Sequence, residues 1–308
     1  MPTPTPPTLC PLPNLRFIEV AGSDVEAFLN AQLSRDVAGG PPNRAPLAAW
    51  HDSKGRVLAL LRALRTDDKW MLLTHGADPA ALVRQLMVFV LRADLEMRDA
   101  SAQWRGAVAV GDVDHWIEGR GATLGSNPGD AGKVDGAFII RVDAATAYLA
   151  APAATLAGIE PQFSATDSTK GELAEIRSGL VNVSPDLAGR FSPQMLNLDR
   201  LGALAFDKGC YPGQEVIARI QNLGSVKRRV FRFSGRLQEV PPAGTVLIDP
   251  SGGEAGEILR AARADDQSVE LLAVVKTDAV DERLTCSGEA ETPLTKEDLP
   301  GEDPGSRH

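Results

Sequence analysis

From Lys227 onward the chain becomes a run of short strand-like segments cut apart by glycine and proline clusters, and this feature most limits its fold. Residues 230–233, 245–248, 257–259 and 269–276 are the segments. Strands this short, at this spacing, must pair with one another, and a small β-barrel or sandwich is the structure that allows it. Upstream the pattern alternates. Ser23 and Glu26 have capping-box spacing, and Val25, Phe28, Leu29 and Leu33 follow as a helical stripe. Residues 56–65 and 69–74 read as two strands of a hairpin turned by Thr66-Asp67-Asp68. Asp78-Pro79 reads as N-cap and first residue of a second helix, with Leu82, Leu86, Phe89 and Val90 as its buried stripe.

Residues 107–110, 138–142 and 146–150 read as further strands, with the Gly-rich stretch 119–136 as loop. A helix over 169–180 places Leu173, Ile176 and Leu180 on one face. Helices and strands thus alternate in short units, and the fold class expected is α+β with a β-rich C-terminal module. Residues 1–13, rich in Pro and Thr, read as a disordered leader, and the acidic stretch 287–308 as a disordered tail.

A net charge of −9 argues against a nucleic-acid backbone as main partner, and Lys227-Arg228-Arg229 is the only dense basic cluster. Cys10, Cys210 and Cys286 lie far apart with no CxxC pair, which is neither a disulfide framework nor a closed zinc site. The leader lacks the features of a signal or transit peptide, and no apolar stretch is long enough to cross a bilayer. A reducing cytoplasm is the expected location. His51 and His75 read as surface or loop histidines, without a second ligand at metal spacing.

The segment Lys208-Gly209-Cys210-Tyr211-Pro212-Gly213-Gln214-Glu215 concentrates the chemistry. Pro212 suits the first position of a helix, whose apolar face would hold Val216, Ile217 and Ile220. Cys210 would then lie at the positive end of that helix with Lys208 close by, and both influences favour the thiolate. Gly209 and Gly213 permit a tight turn or a close approach. Two readings stand at this point: a reactive thiol, or a small buried hydrophobe. A lone cysteine cannot hold a stable metal centre, so any metal at Cys210 would be transient or shared with a partner.

KGCYPGQE over residues 208–215 resembles the signature of the YgfZ family. Pro193-Gln194, Asn197-Leu198 and Leu201-Gly202-Ala203 extend the resemblance upstream, and Ala218-Arg219 and Gly224 with Lys227-Arg228 extend it downstream. Gly22, Phe28-Leu29, Gln32-Leu33, Asp36, Trp50 and Lys54-Gly55-Arg56 carry it into the N-terminal half, so it spans residues 14 to 280. The resemblance implies the folate-binding fold of the glycine-cleavage T-protein, an aminomethyltransferase. In that fold a core of two interlocked α/β subdomains (14–104 with 165–228, and 105–164) precedes a C-terminal β-barrel (229–286). It also implies a folate-binding accessory protein for assembly or repair of iron–sulfur enzymes, including those that thiolate tRNA.

Under this resemblance Cys210 acts as nucleophile, redox centre or transient ligand, and Lys208 tunes it. Gly209, Tyr211, Gly213, Gln214 and Glu215 shape the motif. Tetrahydrofolate is the implied cofactor, with Glu175, Arg177, Gln194, Asn197 and Arg219 as its contacts. The partners implied are iron–sulfur client enzymes or cluster carriers, with neither direct nucleic-acid contact nor membrane. Three departures from the T-protein pattern stand out. Cys210 occupies an Asp position, the stretch 55–60 lacks the catalytic acid, and Arg177-Ser178-Gly179 replaces Glu-Ala-Gly beside the folate ring. An arginine cannot accept hydrogen bonds from that ring, so either Glu175 substitutes, or folate sits differently, or its binding is weak. Without the acid, proton transfer in aminomethyl transfer has no agent. The alternative reading is a folate-dependent one-carbon transferase.

Overall fold

A computed structural model describes residues 7–37, 43–160, 164–165 and 167–300. They divide into two compact units: residues 1–171, 183–190 and 203–214, and residues 172–182, 191–202 and 215–308.

The first unit opens with β1 (Thr8–Pro11), β2 (Leu15–Ala21) and α1 (Val25–Gln32). A hairpin pair β3 (Leu47–His51) and β4 (Val57–Arg65), then β5 (Trp70–His75), α2 (Pro79–Met87) and β6 (Glu96–Asp99), follow. These strands build a five-stranded antiparallel sheet in the order β3-β4-β5-β2-β6. Its core, including Ile18, Leu29, Leu33, Leu61 and Leu72, is closed by α1 and α2. As expected, Asp78 caps α2 by accepting from the Ala80 amide, and Pro79 occupies its first turn. Two expectations fail nearby. Asp24, not Ser23, precedes α1 and makes no side-chain cap: its carboxylate accepts from the Asp94 amide, and the Ser23 hydroxyl donates to the Asp94 carboxylate. The α2 stripe stops at Leu86, and Phe89 is 48% exposed beyond the helix end.

The rest of the unit holds β7 (Trp104–Val110), α3 (Val113–Glu118), β8 (Ala131–Val134), β9 (Ala137–Arg141), β10 (Thr146–Pro152), α4 (Ala153–Ile159) and β11 (Ser164–Ala165). They join β1 in a six-stranded sheet of order β11-β1-β7-β10-β9-β8. Strand β8 lies inside the stretch 119–136 that reads as loop. Part of the expected disordered leader is ordered: β1 pairs with β7 on one side and β11 on the other, and Leu9 and Cys10 are buried. The partners of β1 are distant in sequence, so its pairing has no local signal. Residues 1–6 lie outside the described ones.

Helix α5 (Ser168–Arg177) runs across the division between the units, and α6 (Gln214–Leu223) leads into the second. The second unit is dominated by β12 (Arg228–Gly235), β13 (Val246–Ile248), β14 (Glu254–Arg263), β15 (Val269–Lys276), β16 (Thr285–Cys286), β17 (Glu289–Pro293) and β18 (Thr295–Glu297). These form one seven-stranded antiparallel sheet of order β17-β16-β13-β14-β15-β12-β18. Strands β17 and β18 occupy its opposite edges, yet only Leu294 separates them in the chain. The ends of the two edge strands must therefore meet within two residue steps, roughly 7 Å. This curls the sheet into a nearly closed barrel around Phe233, Leu247, Ile258, Leu271 and Ala273. The closing strands fall in the expected disordered tail, where Leu294 and Leu299 are buried. Their sequence is too polar to announce a strand by itself. Residues 301–308 lie outside the described ones.

Candidate functional site

The candidate site is the KGCYPGQE loop, and the first unit holds it from Lys208 to Gln214. Its approach is set by Ser34, fully buried at the end of α1. The Ser34 hydroxyl donates to the Ala203 carbonyl at 2.7 Å and accepts from the Ala49 amide of β3 at 2.8 Å. The Ala205 amide then donates to the Ser34 carbonyl at 2.8 Å. Residues 203–205 are thereby laid along the turn after α1, and the loop leaves from there.

Lys208 anchors the loop's first half. Its Nζ donates to the carbonyl oxygens of Asn30 at 2.5 Å, Leu33 at 2.6 Å and Arg35 at 3.2 Å. These lie at and just past the last turn of α1, whose carbonyls have no partner within the helix and attract a cation. Burial pulls the Lys208 ammonium down to about 8, and the Asp36 carboxylate opposes the shift. The ammonium, expected to tune the Cys210 thiol, is engaged by these backbone carbonyls.

Tyr211 anchors the second half. Its ring is buried, with the Lys208 Nζ 5.3 Å from its centroid, a cation–π contact. Pro212 does not begin a helix. Gly213 adopts φ +76, a left-handed conformation that stops helix propagation, and α6 starts at Gln214. A Cβ on Gly213 would meet the Gly55 Cα at 2.5 Å and the Asp52 carbonyl at 2.7 Å. The motif loop thus lies directly on the β3–β4 turn. Asp52 organises that turn, its Oδ1 accepting from the Lys54 amide at 2.9 Å and the Arg56 amide at 2.8 Å.

Between the two buried anchors, Gly209 and Cys210 are exposed. Of the two readings of this cysteine, the buried hydrophobe is excluded. Cys10 and Cys286 are the buried ones, and desolvation pushes the Cys10 thiol up to about 11. A thiol displayed on a fixed loop can attack an electrophile, exchange with a disulfide or ligate a metal held by another molecule. Among the described residues no group of three or more His, Cys, Asp or Glu side chains is placed to hold a metal ion.

One site residue escaped the sequence reading. His51, read as a surface or loop histidine, is 1% exposed. Strand β3 is buried on both faces, from Ala48 through His51, so successive side chains are enclosed alike. The register with β4 shifts at Trp50/His51, where Leu58 of β4 is the extra residue. The His51 ring packs beside Tyr211, with centroids 6.0 Å apart and planes tilted by 31°. Burial pulls the His51 imidazole down to about 4 and pushes the Tyr211 hydroxyl up to about 12. Among the described residues neither His51 ring nitrogen nor the Tyr211 hydroxyl has a hydrogen-bond partner. Each such atom costs about 1–3 kcal/mol.

The residues expected to contact folate all lie in the second unit. Glu175 is 1% exposed and its Oε2 accepts from Arg260 Nη2 at 2.5 Å. Arg177 forms a fork with Glu270 of β15, Nε donating to both carboxylate oxygens at 3.1 Å and Nη2 to one at 2.5 Å. Gln194 donates to the Ile217 carbonyl at 2.9 Å. Asn197, at φ +55, donates to the Val230 carbonyl at 2.7 Å and accepts from Arg229 at 3.1 Å. Arg229 also pairs with Asp199 at 2.8 Å, which removes it from the basic cluster as a free cation. Arg219 and Glu215 are exposed on α6. Four of the five expected contacts thus have internal partners, while Gln194 Oε1 is buried without one among the described residues.

Comparison with known proteins follows the loop. The chain is 24% identical over 310 residues to the tRNA-modifying protein YgfZ of Colwellia psychrerythraea, covering 96% of this chain and 95% of that protein. The resemblance to YgfZ holds. It runs nearly the full length, beyond the YgfZ-like motif on which it was first read. No family model matches the chain. Among solved structures, the glycine cleavage system aminomethyltransferase T of Bartonella henselae superposes with a TM-score of 0.73 at 16% identity, over 97% of this chain and 87% of that one. That likeness establishes the fold, α+β in the manner of aminomethyltransferase T. A partial likeness to the heterotetrameric sarcosine oxidase of Corynebacterium sp. U-96 has a TM-score of 0.37 at 17% identity, over 52% of this chain and 86% of that one, and carries no argument. Among the described residues no helix is long and apolar enough to cross a membrane.

Proposed function

We propose that this protein is an accessory factor for the assembly or repair of iron–sulfur enzymes, tRNA-thiolating ones among them, and that it works through Cys210. The observation that carries the reading is the display of Cys210: an exposed thiol between two buried anchors, Lys208 and Tyr211. Fixing a loop on both sides of one exposed side chain presents that side chain in a single pose to a partner, and less conformational freedom is lost on contact. The similarity to a tRNA-modifying protein supports the biological setting. The partners in this reading are iron–sulfur client enzymes or cluster carriers in the cytoplasm, with any cluster iron ligated transiently and jointly with the partner.

Tetrahydrofolate enters this reading as a ligand through the resemblance alone. Its proposed contacts are Glu175, Arg177, Gln194, Asn197 and Arg219, of which the first four also bond internally to Arg260, Glu270, Ile217 and Val230. No step of the function is routed through it. The position expected for the transferase acid falls at Ala59, buried in β4, which favours the accessory role over one-carbon transfer.

The test is complementation of cells lacking the native protein with the wild type or Cys210→Ala. Thiolated tRNA nucleosides are the readout. Loss of thiolation with Cys210→Ala, at equal protein level, is expected. Full restoration by this variant would sink the proposal.

A further inference from the structure

The accessory function makes no use of His51, yet the structure places it with care. Strand β3, buried on both faces, encloses its ring, and the Asp52–Arg56 turn next to it is packed under Gly213 of the motif loop. Its neighbour is Tyr211, the residue after the displayed cysteine. Both His51 ring nitrogens and the Tyr211 hydroxyl are buried and, among the described residues, without a hydrogen-bond partner. Three such atoms from two adjoining rings form a concentration of unmet hydrogen-bonding capacity. Protein interiors resolve such places with a small molecule that bridges the groups.

We propose that His51 and Tyr211 form a buried seat for one water-sized, uncharged molecule that both donates and accepts hydrogen bonds, and that this molecule ties the Cys210 loop to β3. The chemistry of the walls selects that class. A neutral imidazole offers one donor and one acceptor, and the phenol can do either. Neither wall offers a counter-charge for an ion. Burial keeps both groups neutral at physiological pH, as their shifted titrations require. The seat stands whether or not Cys210 serves iron–sulfur enzymes.

The first test is a crystal structure of the wild type at a resolution that orders buried water. Density is expected within hydrogen-bond distance of both a His51 ring nitrogen and the Tyr211 hydroxyl. An empty seat, or a direct hydrogen bond between the two side chains, would overturn the proposal, and this test needs no variant. The second is amide hydrogen exchange over residues 209–214 in wild type, His51→Phe, Tyr211→Phe and the double variant. Each phenylalanine keeps an aromatic ring and removes a wall of the seat. Exchange is expected to quicken about tenfold in either single variant and no further in the double, since one missing wall already frees the molecule. His51→Gln, which retains a donor and an acceptor, is expected to stay near wild type. If the polar atoms were merely unpaired, both phenylalanine variants would tighten the loop or leave it unchanged, and the seat would not exist.

Discussion

Tyr211 and Gln214 bond to each other twice: the Tyr211 amide donates to Gln214 Oε1, and the Gln214 amide donates to the Tyr211 carbonyl, each at 3.2 Å. The pair closes a ring around Pro212 and Gly213, and Cys210 stands immediately outside it. Gln214→Leu keeps the side chain's bulk but leaves the Tyr211 amide without its acceptor. A loss of about 1 kcal/mol in loop stability is expected. Faster amide exchange at Tyr211, with global urea unfolding nearly unchanged, is the measurement that checks it.

Lys208→Met tests the other anchor. The methionine keeps an apolar stem over Tyr211 but leaves the carbonyls of Asn30, Leu33 and Arg35 without their shared donor. The expected cost is about 2–3 kcal/mol, since hydrogen bonds to a charged group exceed neutral ones. Urea melts at neutral pH report it. A variant as stable as wild type would show that the carbonyls find other partners.

His51 predicts a pH dependence. The unfolded imidazole takes its proton near 6.5 and the folded one only near about 4, because burial opposes the charge. Between these values the unfolded chain binds more protons, so this stability is complete above pH 6.5 and is lost as pH falls toward 4. The full term is about 3 kcal/mol. The difference between wild type and His51→Phe, measured by urea melts from pH 7 down to 4.5, is expected to shrink or reverse as the pH drops. A constant difference would mean that His51 protonates equally in both states.

Glu175 and Arg260 form a buried ion pair, with side chains 1% and 10% exposed. Glu175→Ala strands the guanidinium, and a destabilisation of about 3–5 kcal/mol is expected. Replacing both residues, as Glu175→Leu with Arg260→Met, is expected to recover most of it. If the single and double variants unfold at the same urea concentration, the pair is not coupled.

What the sequence made legible follows from where the structural cause lies. Helix α2 and the β4–β5 hairpin were readable because Asp78-Pro79 and Thr66-Asp67-Asp68 act on their immediate neighbours. The motif loop was readable as a site because its glycines, proline and cysteine are contiguous. Lys208's partners were not, since they lie more than 170 residues away at the end of α1. His51 was hidden because β3 is buried on both faces, which only tertiary packing reveals. Strands β1, β17 and β18 were hidden by compositions typical of termini, and β1 and β18 are ordered by partners far along the chain. The expected folate contacts rest on the resemblance, and the ion pairs they make within the second unit join residues too far apart in the chain to be read from it.

The junction at Leu294 makes the last strands a zipper for the barrel. Strands β17 and β18 cover β16 and β12, the two rims left raw without them. A chain ending ahead of Glu289 would still contain most of the barrel, yet it would present two open ladders of backbone donors and acceptors. Such rims recruit strands from other molecules. Premature termination or clipping of this short acidic end therefore makes the protein self-adhesive, although no residue of the Cys210 loop is touched.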